Sequence, residues 1–148
     1  MNKTYLFLFI ISFLMPFHSL CAQDIYTDAR ELTLIGKGNP CPEYYHRVDT
    51  AKYNGMPAAV KRLYTNPAGM AITFKTNSNT IKARWSMDKL SKNHGNMTPI
   101  AHSGLDLYIR LDDKWTYAGS AVPKGLDTET TIVSDMEDGE KECLLYLP

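Results

Sequence analysis

The sequence predicts an all-β fold, an antiparallel jelly-roll-like β-sandwich preceded by a cleaved signal peptide. Three observations carry this. Apolar residues recur with period 2, no long stretch repeats with period 3.6, and turn signals punctuate the chain every 8–15 residues. Alternation on one side only, with polar residues opposite, favours two sheets packed face to face.

Residues 1–22 read as the export signal. Lys3 supplies a basic start, Tyr5 to Met15 is almost wholly apolar, and Pro16, Ser19, Cys21 and Ala22 form the cleavage region. The apolar run is shorter than the roughly 20 residues of a membrane span, so no stable membrane anchor is expected. Cys21 raises lipid attachment as a rival, but Leu20 and His18 are a poor lipoprotein signal. Cleavage after Ala22 leaves residues 23–148 as one domain, exported to the periplasm or the exterior. Cys41 and Cys143 remain in it, and export leaves their pairing open.

The elements follow in order. Leu32–Ile35 is a short strand closed by Gly36-Lys37-Gly38, and Asn39 to Pro42 is a loop because prolines deny donors to a ladder. Tyr44–Val48 reads as an edge strand, Asn54-Gly55 as a turn, and Pro57–Tyr64 as one or two helical turns stopped by Asn66-Pro67-Ala68-Gly69. Met70–Thr76 and Thr80–Ser86 alternate on either side of Asn77-Ser78-Asn79 and read as a hairpin. Met87–Thr98 is a polar loop. Leu105–Arg110 and Lys114–Gly119 flank the turn Asp112-Asp113, Thr130–Val133 is a strand, and Glu137-Asp138-Gly139 turns into Lys141–Leu147. The expected core is Ile72, Phe74, Ile81, Trp85, Leu105, Leu107 and Ile109. The last strand runs apolar to Leu147-Pro148, as though strands that should pair with Leu144–Leu147 had been cut away, and such an edge invites aggregation.

Composition excludes several functions. Sixteen basic and 16 acidic residues give no net charge, so nothing draws the chain to nucleic acid. Three cysteines without CxxC spacing, and the scattered His46, His94 and His102, offer no metal site, and no cofactor is expected. There is no Gly-Asp-Ser and no GxSxG, and Ser103-Gly104 and Gly119-Ser120 read as ordinary pairs. Asn96-Met97-Thr98 fits a glycosylation acceptor, relevant only in a eukaryotic secretory pathway.

One constellation stands out. Asp106, Tyr108 and Arg110 share the strand face opposite Leu105, Leu107 and Ile109, and His102 stands four residues before Asp106. The face is either simply solvated or a docking or substrate-approach surface. Tyr44, Tyr45, Trp85, Trp115 and Tyr117 are aromatics that could stack a sugar ring, or core residues.

At Gly104-Leu105-Asp106-Leu107-Tyr108 the chain carries a Gly-x-Asp-Leu-Tyr signature and resembles the N-terminal domain of bacterial SGNH-hydrolase-type esterases. Tyr45–Thr50, Ile72–Ser78, Thr98–Ala101 and Met136–Pro148 resemble the same family, so the likeness covers roughly residues 30–148. It implies a downstream α/β catalytic domain bearing a Gly-Asp-Ser nucleophile, an oxyanion-hole Gly and Asn, and an Asp-x-x-His pair. It also implies an origin in Bacteroidota. None of those blocks stands in this sequence, so the chain alone is predicted inactive. It reads as the accessory module of an exported carboxylic-ester hydrolase acting on acylated carbohydrate. The alternatives are a stand-alone secreted carbohydrate-binding sandwich and an interaction domain without a ligand.

Overall fold

A computed structural model describes residues 24–89 and 95–148. The proposed signal, residues 1–22, and His94 lie outside that range. Among the described residues, seven strands and two short α-helices follow one another: β1 (Thr33–Ile35), α1 (Ala58–Tyr64), β2 (Ala71–Thr76), β3 (Ile81–Ser86), α2 (Pro99–Ser103), β4 (Leu105–Leu111), β5 (Lys114–Ala121), β6 (Asp127–Val133) and β7 (Lys141–Tyr146). All strand pairs are antiparallel. A five-stranded sheet runs β1-β2-β7-β4-β5, and β3 and β6 form a second, two-stranded sheet.

The inner face of the large sheet meets the small one. Leu105, Leu107, Ile109, Ala121, Cys143 and Ile132 are its buried centre, with Phe74, Ile81, Ala83, Trp85, Val133, Leu145 and Leu147 packed around them. Leu107 and Cys143 are completely buried, and a fully buried leucine contributes on the order of 1.5–3 kcal/mol through removal from water. All seven expected core residues are at least partly buried: Ile72, Leu105, Leu107 and Ile109 are buried, and Phe74, Ile81 and Trp85 are partly so. Two glycines set the spacing. A Cβ on Gly119 would collide with the carbonyl oxygen of Ile132, so its absence lets β5 approach β6 backbone to backbone. Gly104, between α2 and β4, plays the same part against β5.

The β4–β5 hairpin forms as the sequence predicts. Leu111 pairs with Lys114, and the two residues between them have positive φ, Asp112 at 48° and Asp113 at 61°. Positive φ at both centres matches the twist of the flanking strands. Helix α1 occupies the expected segment. Helix α2 is an addition that starts with Pro99 in its first turn, where a missing N–H breaks no bond.

Three expectations are corrected. First, 70–76 and 80–86 do not form a hairpin. β2 pairs with β1 and β7, and β3 pairs with β6. The chain crosses between sheets just after β2, where the Ser78 N–H donates to Thr76 Oγ1 and the Met136 N–H donates to the Asn79 carbonyl. Placement in opposite sheets lets Phe74 and Ile81 bury their apolar sides in the same core. Second, Tyr44–Val48 is not a strand. The Lys37 ammonium takes the carbonyls of Cys41, Glu43 and Tyr44 at 3.3, 2.8 and 3.0 Å, and the Arg47 N–H donates to the Tyr64 carbonyl, so groups a ladder would use are engaged. Third, the last strand is no open edge. β7 lies between β2 and β4, hydrogen-bonded on both sides, so this strand lacks no neighbour.

Cys41 and Cys143 do not pair. Cys41 is half-buried in its loop, Cys143 sits in the core, and both are free thiols.

The segment that opens the described chain lies across the outer side of the small sheet. The Asp24 carboxylate meets the Lys82 ammonium at 2.6 Å, the Tyr26 hydroxyl donates to Glu129 at 3.0 Å, and the Arg84 guanidinium lies 4.4 Å from the centre of the Tyr26 ring. Among the described residues no helix is long and apolar enough to cross a membrane.

Candidate functional site

Strand alternation sends Asp106, Tyr108 and Arg110 to the outer face of the large sheet, and the pairing register decides what stands beside them. Asp106 is flanked by Ser120 on β5 and Tyr146 on β7, and Tyr108 by Tyr117 and Leu144. Arg110 is flanked by Trp115.

A β-bulge shapes the β5 side. The register shifts between Leu107 and Tyr108, so Leu107 faces Gly119, Tyr108 faces Tyr117, and Ala118 is the extra residue. Without the bulge, Tyr117 and Ser120, three apart, would point to opposite faces. With it they share one, and the Tyr117 and Ser120 hydroxyls lie 2.7 Å apart. Ser120 in turn donates to Asp106 Oδ1 at 2.5 Å.

The aromatic rings interlock. Tyr108 meets Tyr117 at 5.8 Å and Tyr146 at 5.7 Å between centroids, with interplanar angles of 73° and 80°. Such edge-to-face pairs are favourable because the positive ring edge meets the negative ring face. At the far end the Arg110 guanidinium binds Glu142 at 3.3 Å and Asp113 at 3.2 Å, and lies 6.0 Å from the Trp115 ring. These ion pairs are exposed and worth under about 1 kcal/mol each.

The structure therefore brings three of the four candidate residues together, Asp106, Tyr108 and Arg110. His102 belongs to α2 rather than to the sheet, and its Nδ1 lies 2.6 Å from the Oγ of buried Ser103. The Ser103 carbonyl accepts from the Trp85 indole at 3.3 Å. Of the aromatics considered for sugar stacking, Trp115 and Tyr117 are on the face. Trp85 packs in the core layer, and Tyr44 and Tyr45 pack edge to face on each other. Ser120, Glu142 and Tyr146 are members of the face that sequence reasoning missed. The small pair Ala118-Gly119 inside a strand pattern was the available signal for the bulge.

Chemically the face is a hydrogen-bonded, aromatic surface. Among the described residues no three His, Cys, Asp or Glu side chains group as a metal would require. A shallow pocket lined by Asn39, Pro40, Val48, Asp49, Lys52 and Tyr53 shares no residue with the face, and at about 160 Å³ it is below the usual size of a ligand cavity. On the inner side of the sheet, burial pushes the Cys143 thiol up to about 11, far from a reactive thiolate.

Fold and site together define a β-sandwich module with one polar-aromatic sheet face. The family model described as GxDLY, the N-terminus of SGNH-hydrolase-type esterases, matches residues 25–148. The chain belongs to that family. A solved structure of a protein described as a GDSL-like lipase, from Bacteroides ovatus, is similar to it with 53% sequence identity and a TM-score of 0.78. The match covers 81% of this chain and 35% of that one, so the chain corresponds to about a third of its solved relative. No curated protein matches the chain.

Proposed function

We propose that this chain is the accessory N-terminal module of an exported SGNH-type carboxylic-ester hydrolase acting on acylated carbohydrate. The family match over residues 25–148 carries the reading, because that family is described by its place at the N-terminus of an esterase. Likeness to a part of a GDSL-like lipase supports it. In this reading residues 1–22 direct export, and an origin among Bacteroidota agrees with the source of the solved relative. The sandwich, jelly-roll-like in this reading, shapes the approach to the downstream active site. The face of Asp106, Tyr108 and Arg110 belongs to that role, with His102 at its approach. Serine chemistry needs a nucleophile, a base and a preorganised oxyanion hole, and loss of one oxyanion donor alone costs about 10²–10³ in rate. That chemistry resides in the domain that follows.

The test compares the catalytic part of the Bacteroides ovatus relative alone with the same part joined after Pro148 of this chain. Kinetics are read on p-nitrophenyl acetate and on acetylated xylan. The module is expected to improve kcat/KM on the polymer. Identical kinetics with and without it would refute the accessory role, and serine-dependent hydrolysis by the 148-residue chain alone would refute the module reading altogether.

A further inference from the structure

We propose that the outer face of β4, β5 and β7 is the seat on which the following domain of the esterase docks. This rests on the reading of the chain as a module of a longer enzyme and names the surface that joins the two parts.

Two features of the face point to a protein partner. Its open side chains are Trp115, Tyr117 and Tyr146, 42, 59 and 42% exposed, beside the Arg110–Glu142 pair. Tyr, Trp and Arg are the residue types that concentrate binding energy at protein interfaces. Several of its polar groups are already engaged with one another within the face. Tyr117, Ser120 and Asp106 form one hydrogen-bonded chain, and Glu142, Arg110 and Asp113 another. Covering the face with protein therefore meets Arg110 and Glu142 already paired and Asp106 already accepting a hydrogen bond, which lowers the usual penalty for hiding such residues. A sugar platform wants the reverse, flat rings turned to solvent beside open hydrogen-bonding groups. Here Tyr108 interlocks at 73° and 80° with its neighbours.

Chain direction identifies the partner. β7 is the last strand and ends at Tyr146, itself a member of the face. Polypeptide continuing beyond it departs from the rim of this surface. In the solved relative the matched part is 35% of the chain, and the family description puts that part first, so a larger body follows. A body tethered so close experiences an effective concentration in roughly the millimolar range, enough to hold a modest interface closed. The opposite outer face, on the small sheet, is already engaged by Asp24 and Tyr26 of the chain itself.

Hydroxyl-radical footprinting tests this without altering the face. Oxidation of Trp115, Tyr117 and Tyr146 is measured in the 148-residue chain and in the two-domain protein that joins it to the catalytic part of the Bacteroides ovatus relative. Tyr53, exposed and outside the face, is the reference. The three aromatics are expected to lose reactivity several-fold in the two-domain protein while Tyr53 does not. The Trp115→Ser, Tyr117→Ser double variant should then restore Tyr146 oxidation, with a cooperative melt of the 148-residue chain retained. Equal oxidation of the three residues in both proteins overturns the proposal. So does protection that grows with the concentration of the 148-residue chain, which would make the occupant a second copy. Protection of that chain by an acetylated xylo-oligosaccharide would assign the face to glycan and also overturn it. Ester hydrolysis by the same two-domain protein separates the failures: kinetics indifferent to the module sink the accessory role, whereas the footprint alone decides the docking.

Discussion

The first residue of the Gly-x-Asp-Leu-Tyr signature provides the sharpest test of the fold. Gly104 has φ −87° and ψ 175°, ordinary extended backbone that any residue adopts, so conformation does not require glycine here. Space does. A Cβ at this position would lie 2.5 Å from the Ile100 carbonyl oxygen, 2.7 Å from the Ala121 carbonyl oxygen and 3.0 Å from Ile100 Cα. All three are backbone atoms, in α2 and in β5, and none can swing away as a side chain would. The Gly104 N–H also closes α2 onto the Ile100 carbonyl at 3.0 Å. Gly104→Ala must therefore push α2 from β5 at the point where β4 begins. Overpacking of this kind costs about 1–3 kcal/mol, and rigid contacts on two sides place it at the upper end. The stiffer unfolded chain returns roughly 0.4–1 kcal/mol, leaving a net loss of about 2 kcal/mol. Urea unfolding followed by tryptophan fluorescence measures it, since the Trp85 indole donates to the carbonyl of the neighbouring Ser103. With a slope of about 1–3 kcal/mol per molar urea, the midpoint should fall by about 1 M. Gly38→Ala, where a Cβ meets nothing within 4 Å, is the control, and it should shift stability by under about 0.5 kcal/mol. A Gly104→Ala protein as stable as the Gly38→Ala protein would refute the reasoning.

Gly119→Ala should cost a similar amount, again about 2 kcal/mol by urea unfolding, because its Cβ would collide with the Ile132 carbonyl and part the two sheets. Asp113→Gly should stabilise by about 0.5 kcal/mol in the same assay: glycine suits the φ of 61°, and the lost Arg110 contact is exposed. Cys143 predicts a pH dependence. Its thiol, ordinarily near 9.0, is raised to about 11 by burial. Between these values the folded chain keeps a proton that the unfolded chain has lost, so stability falls as pH rises from about 9 to about 11. The fall from this group is at most about 2–3 kcal/mol, at about 1.4 kcal/mol per pH unit. Cys143→Ala should remove that component in unfolding measured across this range, and a slope unchanged by the substitution would count against the buried-thiol assignment.

Sequence alone determined the β class and which side of β2, β3 and β4 faces inward. The alternation of Leu105, Leu107 and Ile109 suffices, because side chains leave a strand to opposite faces in turn and here only one face is apolar. It also fixed the β4–β5 hairpin, whose strands are joined by so short a turn that they pair with each other. Three of the four candidate residues could be placed together for the same reason, standing two apart on one strand. What alternation cannot carry is the identity of a strand's neighbour. Period 2 looks the same whether Phe74 and Ile81 lie in one sheet or in two sheets across a core, and only packing of the whole chain chose the second. The same blindness made Leu144–Leu147 read as an open edge, although tertiary pairing sets β7 between β2 and β4. The face was likewise finished by contacts distant in sequence. One extra residue at Ala118 brought Ser120 onto the side of Tyr117, and the β4–β7 ladder delivered Tyr146 to Asp106 and Tyr108, because register is set by the fit of whole sheets and not by any local pattern.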